Sequence, residues 1–176
     1  MTIAVRRAHT HEAGELAAVA AATFPLACPP TAAAADIAAA IEANLSAQRF
    51  ADYLAAPDRM VLAAIDNGRI VGYSMLIHGI GEDPAVAASV PDRPTVELSK
   101  MYVLSSHHRS GAAAALMQHG IAWAALTSAV SVWLGVNRKN ERAQRFYGKH
   151  GFQITGTRTF RLGSSDEDDF VMVRPL

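Results

Sequence analysis

The sequence predicts an α/β fold: a mixed β-sheet flanked by helices, with a phosphate-receiving turn near its middle. Three observations carry that expectation. Residues 60–65 and 70–77 are β-rich runs joined by Asp66-Asn67-Gly68, the strongest short-range hairpin signal. Residues 96–104 alternate as a strand, pass through the small polar segment 105–111, and meet residues 112–125, which have high helix propensity. Residues 130–136 read as a buried strand, followed by a helix from Asn140 to His150 that Gly151 closes.

Residues 3–7 read as a first strand and 11–24 as a first helix. Pro25, Pro29 and Pro30 make 25–31 a loop. Helical pieces follow at 36–43 and 47–56. Ser46 is the N-cap of the second, with Leu45 and Phe50 at the hydrophobic-staple positions and Pro57 as its stop. After the hairpin, residues 79–95 carry Gly79, Gly81, Pro84, Pro91 and Pro94 among acids and read as a loop. At the far end, residues 152–162 and 170–174 pair around a turn at 163–169. No repeat or linker divides the chain, so a single domain over residues 1–176 is expected.

Composition excludes more than it identifies. Apolar residues are 51% of the chain, which argues against disorder. Sixteen basic residues cancel sixteen acidic ones, so no global field points to nucleic acid or to a membrane surface. The alanine-rich stretch 17–40 is interrupted by Pro25, Pro29, Pro30 and Asp36 and is not a membrane helix. The N-terminal residues lack the apolar core of a targeting segment. One cysteine, Cys28, excludes an internal disulfide and fits a reducing, cytoplasmic setting; it reads as a buried thiol rather than a nucleophile. The histidine pairs His9/His11 and His107/His108 lack further ligands at recognisable spacing, so no metal is expected.

The segment 105–114 carries the first chemistry. A small-residue turn that opens a helix leaves backbone N–H groups unpaired, with the positive end of the helix dipole behind them. That is a receptor for pyrophosphate. Gly111 and Ala113 let phosphate oxygens approach the backbone of Ser110, Gly111, Ala112, Ala113 and Ala114, and Arg109 adds a fixed charge suited to bidentate contact. No Lys-Ser/Thr follows the glycine, so this is not a Walker loop.

With the strand before it and the run Leu134-Gly135-Val136-Asn137, Asn140, Ala143, Phe146-Tyr147, Lys149 and Gly151-Phe152 after it, this turn resembles the cofactor site of the GCN5-related N-acetyltransferase (GNAT) superfamily. The family pattern Gln/Arg-x-x-Gly-x-Gly/Ala is filled by His108, Gly111 and Ala113, His108 standing where the family has Gln or Arg. The resemblance implies a mostly antiparallel sheet that splays between two central parallel strands, 96–104 and 132–136. It implies acetyl-CoA as co-substrate, with backbone groups of Met101, Tyr102 and Val103 on its pantetheine arm. Asn137 and Asn140 would face pantetheine and pyrophosphate, Tyr147 would lie near the sulfur, and Phe146 would also bind the cofactor. Lys149 and Arg142 would meet the 3′-phosphate, or else face water.

Thioester aminolysis expels a thiolate and needs an amine stripped of its proton. Tyr147, a phenol with an ordinary pKa near 10, is the candidate acid, or else an aromatic packed on the sheet. Glu97 is the candidate base, directly or through water, or else a solvated carboxylate at a strand start. Thr23-Phe24, Glu97-Leu98, Thr159–Gly163 and Asp169–Met172 resemble the bacterial PaiA-type polyamine acetyltransferases. The implied reaction is acetyl transfer to a primary amine of a polyamine-like small molecule or a peptide. The acids Asp166, Glu167, Asp168 and Asp169 are either a funnel for that amine or a solvated hairpin tip. A non-catalytic acyl-CoA sensor is the alternative from another class. A homodimer is compatible with all of this.

Overall fold

The computed structural model of the protein describes residues 2–176. Strand β1 (Ala4–Arg7) pairs antiparallel with β2 (Arg59–Asp66), which turns into β3 (Arg69–His78). Asn67 and Gly68 take φ of 49° and 76° at that turn, the primed geometry that matches strand twist.

A 3-10 turn at Thr10–Glu12 leads into α1 (Ala13–Ala27). Arg6 donates to both carboxylate oxygens of Glu12 at 3.0 and 2.6 Å, and the His9 N–H donates to Glu12 at 2.7 Å. The Arg6 guanidinium holds the Glu12 carboxyl down at about 2. Helix α1 runs past Pro25, so the loop expected from residue 25 begins later. A proline this close to a helix end removes a single intrahelical bond, and burial of Leu16, Val19, Ala20 and Thr23 carries the helix through. Helices α2 (Ala34–Asn44) and α3 (Ala47–Ala55) follow. Ser46 caps α3, its hydroxyl accepting from Arg49 N–H at 3.2 Å, with Leu45 and Phe50 buried beneath.

The expected loop 79–95 contains a helix, α4 (Pro84–Ser89). Asp83 caps it by accepting from Ala85 N–H at 2.9 Å, Pro84 supplies the first-turn position, and Val86 and Val90 bury against Trp133, Val171 and Val173. Strand β4 (Thr95–Val103), helix α5 (Ala112–Ala125), strand β5 (Ser131–Asn137) and helix α6 (Glu141–Lys149) then follow in the expected order. The last hairpin corrects a third expectation. Strand β6 (Gln153–Leu162) turns at Gly163-Ser164, and β7 (Ser165–Pro175) begins at once, so the acidic residues are strand rather than turn.

The sheet has seven strands in the order β1-β2-β3-β4-β5-β7-β6. All neighbours are antiparallel except β4 and β5, whose parallel pairing requires the α5 crossover. One face carries α5 and α6 over a core containing Leu98, Leu116, Met117, Leu134 and Met172. The other carries α1 and α3 over Phe50, Tyr73 and Met75, with α4 over Trp133. Among the described residues no helix is long and apolar enough to cross a membrane.

Candidate active site

Strands β4 and β5 pair at only three positions, Thr95↔Ser131, Val96↔Val132 and Glu97↔Trp133, and then diverge. Beyond Glu97, β4 keeps β3 on one side and has no strand on the other. The gap opens toward both faces of the sheet.

On the α5/α6 face the turn between β4 and α5 opens directly into the helix, as expected. Gly111 caps α5 with φ of 88°, and Arg109 also takes a left-handed φ of 65°. An atom added at the Gly111 α-carbon would meet nothing within 4 Å, so the approach to the helix start is open. The first helical bond runs from Ala115 N–H to the Gly111 carbonyl. Ala112 N–H is occupied by the Ser110 hydroxyl at 3.2 Å. The amides of Gly111, Ala113 and Ala114 are left at the helix start, where no carbonyl precedes them. Arg109 and Arg142 flank this hollow, of about 230 Å³. His108 lines the same hollow, with its ring bonded to the Val103 carbonyl at 3.1 Å. His107 bridges the Ser106 hydroxyl (2.9 Å) and the Asp66 carboxylate (3.1 Å), tying the turn to the β2–β3 hairpin. These open amides and flanking cations fit the pyrophosphate of a CoA.

A second hollow of about 270 Å³ continues from this turn along Met101, Tyr102 and Val103 to Phe146 and Tyr147. A cavity of about 250 Å³ lies deeper in the gap. Tyr147, Asn140, Met101 and Tyr102 line both. The Asn140 side chain caps α6, accepting from Ala143 N–H at 3.1 Å. Asn137 donates to Glu167 at 3.3 Å and accepts from Lys139 N–H at 2.9 Å. The Tyr147 ring packs edge-on against Phe146 and Phe152, with centroids 5.6 and 6.0 Å away. Its hydroxyl makes no hydrogen bond among the described residues, and burial pushes its pKa up to about 12.

The deeper cavity has two unlike walls. On β4 stand Ser99 and Lys100; across the gap stand Arg158, Glu167 and Asp169, with Gly135 between. Arg158 lies along Gly135 closely enough that any side chain there would overlap its guanidinium. It pairs with Asp169 at 3.3 Å, where burial nevertheless raises the Asp169 carboxyl. Glu97 lies at the last rung of the β4–β5 ladder and does not line the cavity. Burial raises its pKa, against the opposing fields of Arg158, Lys100 and Arg59.

Lys149 lies elsewhere, in a shallow depression with His150 and Arg174, apart from Arg142 and the phosphate turn. Of the four clustered acids, Glu167 and Asp169 are buried (9% and 5% exposed) and face the cavity, whereas Asp166 and Asp168 are exposed. Lys100 and Arg158 were not legible as cavity residues. The alternation that aims Glu167 and Asp169 inward requires knowing that 165–169 is strand, and Lys100 is turned inward by a bulge. Among the described residues no group of three potential ligands can hold a metal ion.

A sequence model of the acetyltransferase (GNAT) family matches residues 21–152. Uncharacterized N-acetyltransferases of Mycobacterium tuberculosis and Mycobacterium bovis are 58% identical over 165 residues, covering 94% of this chain and 98% of theirs. The fold matches that of the PaiA N-acetyltransferase from Thermoplasma acidophilum in complex with coenzyme A, at TM-score 0.80 and 18% identity over all of both chains. It also matches the ribosomal-protein-S18-alanine N-acetyltransferase of Escherichia coli, at TM-score 0.71 and 16% identity over 99% of this chain and 94% of that one. The chain therefore belongs to the acetyltransferase (GNAT) family. It is an acyltransferase whose co-substrate is acetyl-CoA, which supplies the activated acetyl thioester.

Proposed function

We propose that residues 1–176 form one N-acetyltransferase domain that transfers acetyl directly to a primary amine of a small molecule or a peptide. The observation that carries this reading is Tyr147, which lines both the hollow leading from the phosphate turn and the deeper cavity. A thioester laid along the first hollow and an amine entering the second meet at its hydroxyl. Open amides at Gly111, Ala113 and Ala114, with Arg109 and Arg142 beside them, support a pyrophosphate seat. The unpaired edge of β4 supports backbone contacts from Met101 and Val103 to the pantetheine arm, whereas the Tyr102 carbonyl is turned toward Gly72 of β3 and Tyr102 lines the channel with its side chain. Asn140 and Phe146 complete that channel, Asn137 stands in the deeper cavity beside Glu167, and Lys149 is left to solvent.

In the reaction the acceptor ammonium first loses a proton to Glu97 through water. The free amine then forms a C–N bond as the C–S bond breaks. Tyr147 donates its proton to the departing sulfur and regains one from the new amide nitrogen through solvent, so protons balance. A phenol held near 12 remains protonated at neutral pH and can serve as that donor. The raised carboxyl of Glu97 is a stronger base than an exposed glutamate. Glu167, which no cation pairs among the described residues, supports attraction of an ammonium, in line with the resemblance to PaiA-type polyamine acetyltransferases.

The test is thiol release from acetyl-CoA with a panel of polyamines, amino acids, other simple amines and short peptides. Amine-dependent release with a matching N-acetyl product is expected. A protein that binds acetyl-CoA yet releases no thiol with any primary amine would overturn the reading.

A further inference from the structure

Among the described residues the cation on the β4 wall has no contacting carboxylate. Lys100 is half-buried and lines the deeper cavity. It makes no ion pair and no hydrogen bond among the described residues. Its ammonium lies 6.0 Å from the centre of the Tyr53 ring, where Arg59 and Arg49 also stand at 4.9 and 5.2 Å. Those arginines have their own carboxylates, Asp58 at 3.6 Å and Asp52 at 3.7 Å. Glu97 is the one carboxylate whose field favours the charged lysine, against the fields of Arg59 and Arg49. Burial lowers the pKa of Lys100, as it does for an ammonium that lacks a contacting anion.

The opposite wall is arranged the other way. Arg158 and Asp169 neutralise each other there, while Glu167 has only the Asn137 amide as a side-chain partner. The cavity therefore presents a free carboxylate on β7 and a free ammonium on β4, across the gap between the strands. A polyamine satisfies the first and is repelled by the second. An amine that also carries a carboxylate satisfies both. From Lys100 the space continues past Phe24, Tyr102 and Phe160 to Asn44 and Leu45, a hollow of about 180 Å³ with room for a side chain.

We propose that the acceptor carries a carboxylate as well as its amine, as an amino acid does, and that Lys100 is the specificity residue that recognises the carboxylate. The proposal rests on the reading of the deeper cavity as the acceptor site. It reverses the substrate preference that the resemblance to polyamine acetyltransferases implies.

Matched pairs that differ by one carboxylate test it: lysine and cadaverine, ornithine and putrescine, phenylalanine and phenethylamine. Thiol release from acetyl-CoA gives kcat/KM for each. The carboxylate member of at least one pair should be favoured by roughly ten- to hundredfold, the value of a charge-assisted hydrogen bond. Lys100→Met should collapse that ratio toward unity, and Lys100→Arg should retain most of it. Thermal melts of both variants identify any loss of fold, and the ratio within one variant is insensitive to the fraction folded. Favoured decarboxylated members, or a ratio unchanged in Lys100→Met, would overturn the assignment. Should no pair be turned over, calorimetric titration of the same compounds into CoA-loaded protein reads the preference directly. Tighter binding of the carboxylate members is then expected, and equal or absent binding overturns the proposal. Calorimetry with CoA alone tests the underlying acetyltransferase reading separately.

Discussion

Replacing Tyr147 with phenylalanine removes one oxygen and leaves the ring where it packs. The ring meets Phe146 and Phe152 edge-on, contacts that phenylalanine reproduces. The hydroxyl has no hydrogen-bond partner among the described residues, so its loss orphans no buried donor or acceptor there. Stability should stay within about 0.5 kcal/mol of the wild type, or about 1–2 °C in Tm for a chain of this size. The kinetic consequence should be far larger. A positioned general acid contributes about 10²–10⁴-fold, equivalent to roughly 3–5 kcal/mol of barrier. Tyr147→Phe should therefore lower kcat by at least about a hundredfold while the Kd for acetyl-CoA changes little. Calorimetry with acetyl-CoA and thiol release at saturating amine separate the two quantities. Because burial holds the phenol near 12, the wild type should lose no activity through Tyr147 until pH approaches that value. A folded Tyr147→Phe protein with undiminished turnover would refute the acid role and leave Tyr147 as an aromatic packed on the sheet.

Gly111→Leu should weaken CoA binding by roughly ten- to hundredfold, the worth of one charge-assisted phosphate contact. Its side chain would enter the open approach at a φ of 88°, where a non-glycine residue costs about 1–2 kcal/mol; calorimetry that finds unchanged affinity in a folded variant removes the cradle. Burial raises Glu97, so its basic form is reached only at higher pH than for an exposed glutamate, and kcat/KM should fall as pH drops through that raised value. Glu97→Gln should abolish this acid limb along with most of the rate; a surviving limb assigns the base elsewhere. The same shift fixes the sign of the stability effect. A raised carboxyl stabilises the fold below the ordinary glutamate pKa and loses that contribution as pH rises through the folded value. Glu97→Gln should therefore melt higher than the wild type at neutral pH and show no such gain in acid.

The elements that position the phosphate turn were legible because each carries its own local signal. Asn67-Gly68 dictates a hairpin, residues 112–125 dictate a helix, and Asn140 and Gly151 bracket α6. Helix α4 was missed although Asp83-Pro84 is a cap followed by a first-turn proline, because the surrounding glycines and prolines masked it. The walls of the deeper cavity were hidden for a different reason. Period-two alternation from Glu97 puts Ser99 on its face and Lys100 on the other. In the fold Leu76 pairs with Leu98 and Met75 with Lys100, so Ser99 is an extra residue and Lys100 returns to the face of Glu97. A bulge is a relation between two strands, and no stretch of one strand announces it. The same holds for Gly135, which reads as a weak point in a strand until Arg158 is found lying along it.

The short β4–β5 ladder links this geometry to the chemistry. A parallel pair held at three positions leaves the remaining edge of β4 with backbone donors and acceptors that no strand satisfies. His108 takes the Val103 carbonyl, which accounts for one of them. The others face a channel that an amide-bearing pantetheine arm can enter as an added strand would. Continuous pairing from Ser99 to Val103 would satisfy those groups internally and make the sheet more complete. It would also close the passage at Tyr147 through which the two hollows meet. Under the proposed mechanism the hydrogen bonds that the sheet forgoes are ones its co-substrate can restore, and the fold is least complete where the acetyl group would cross.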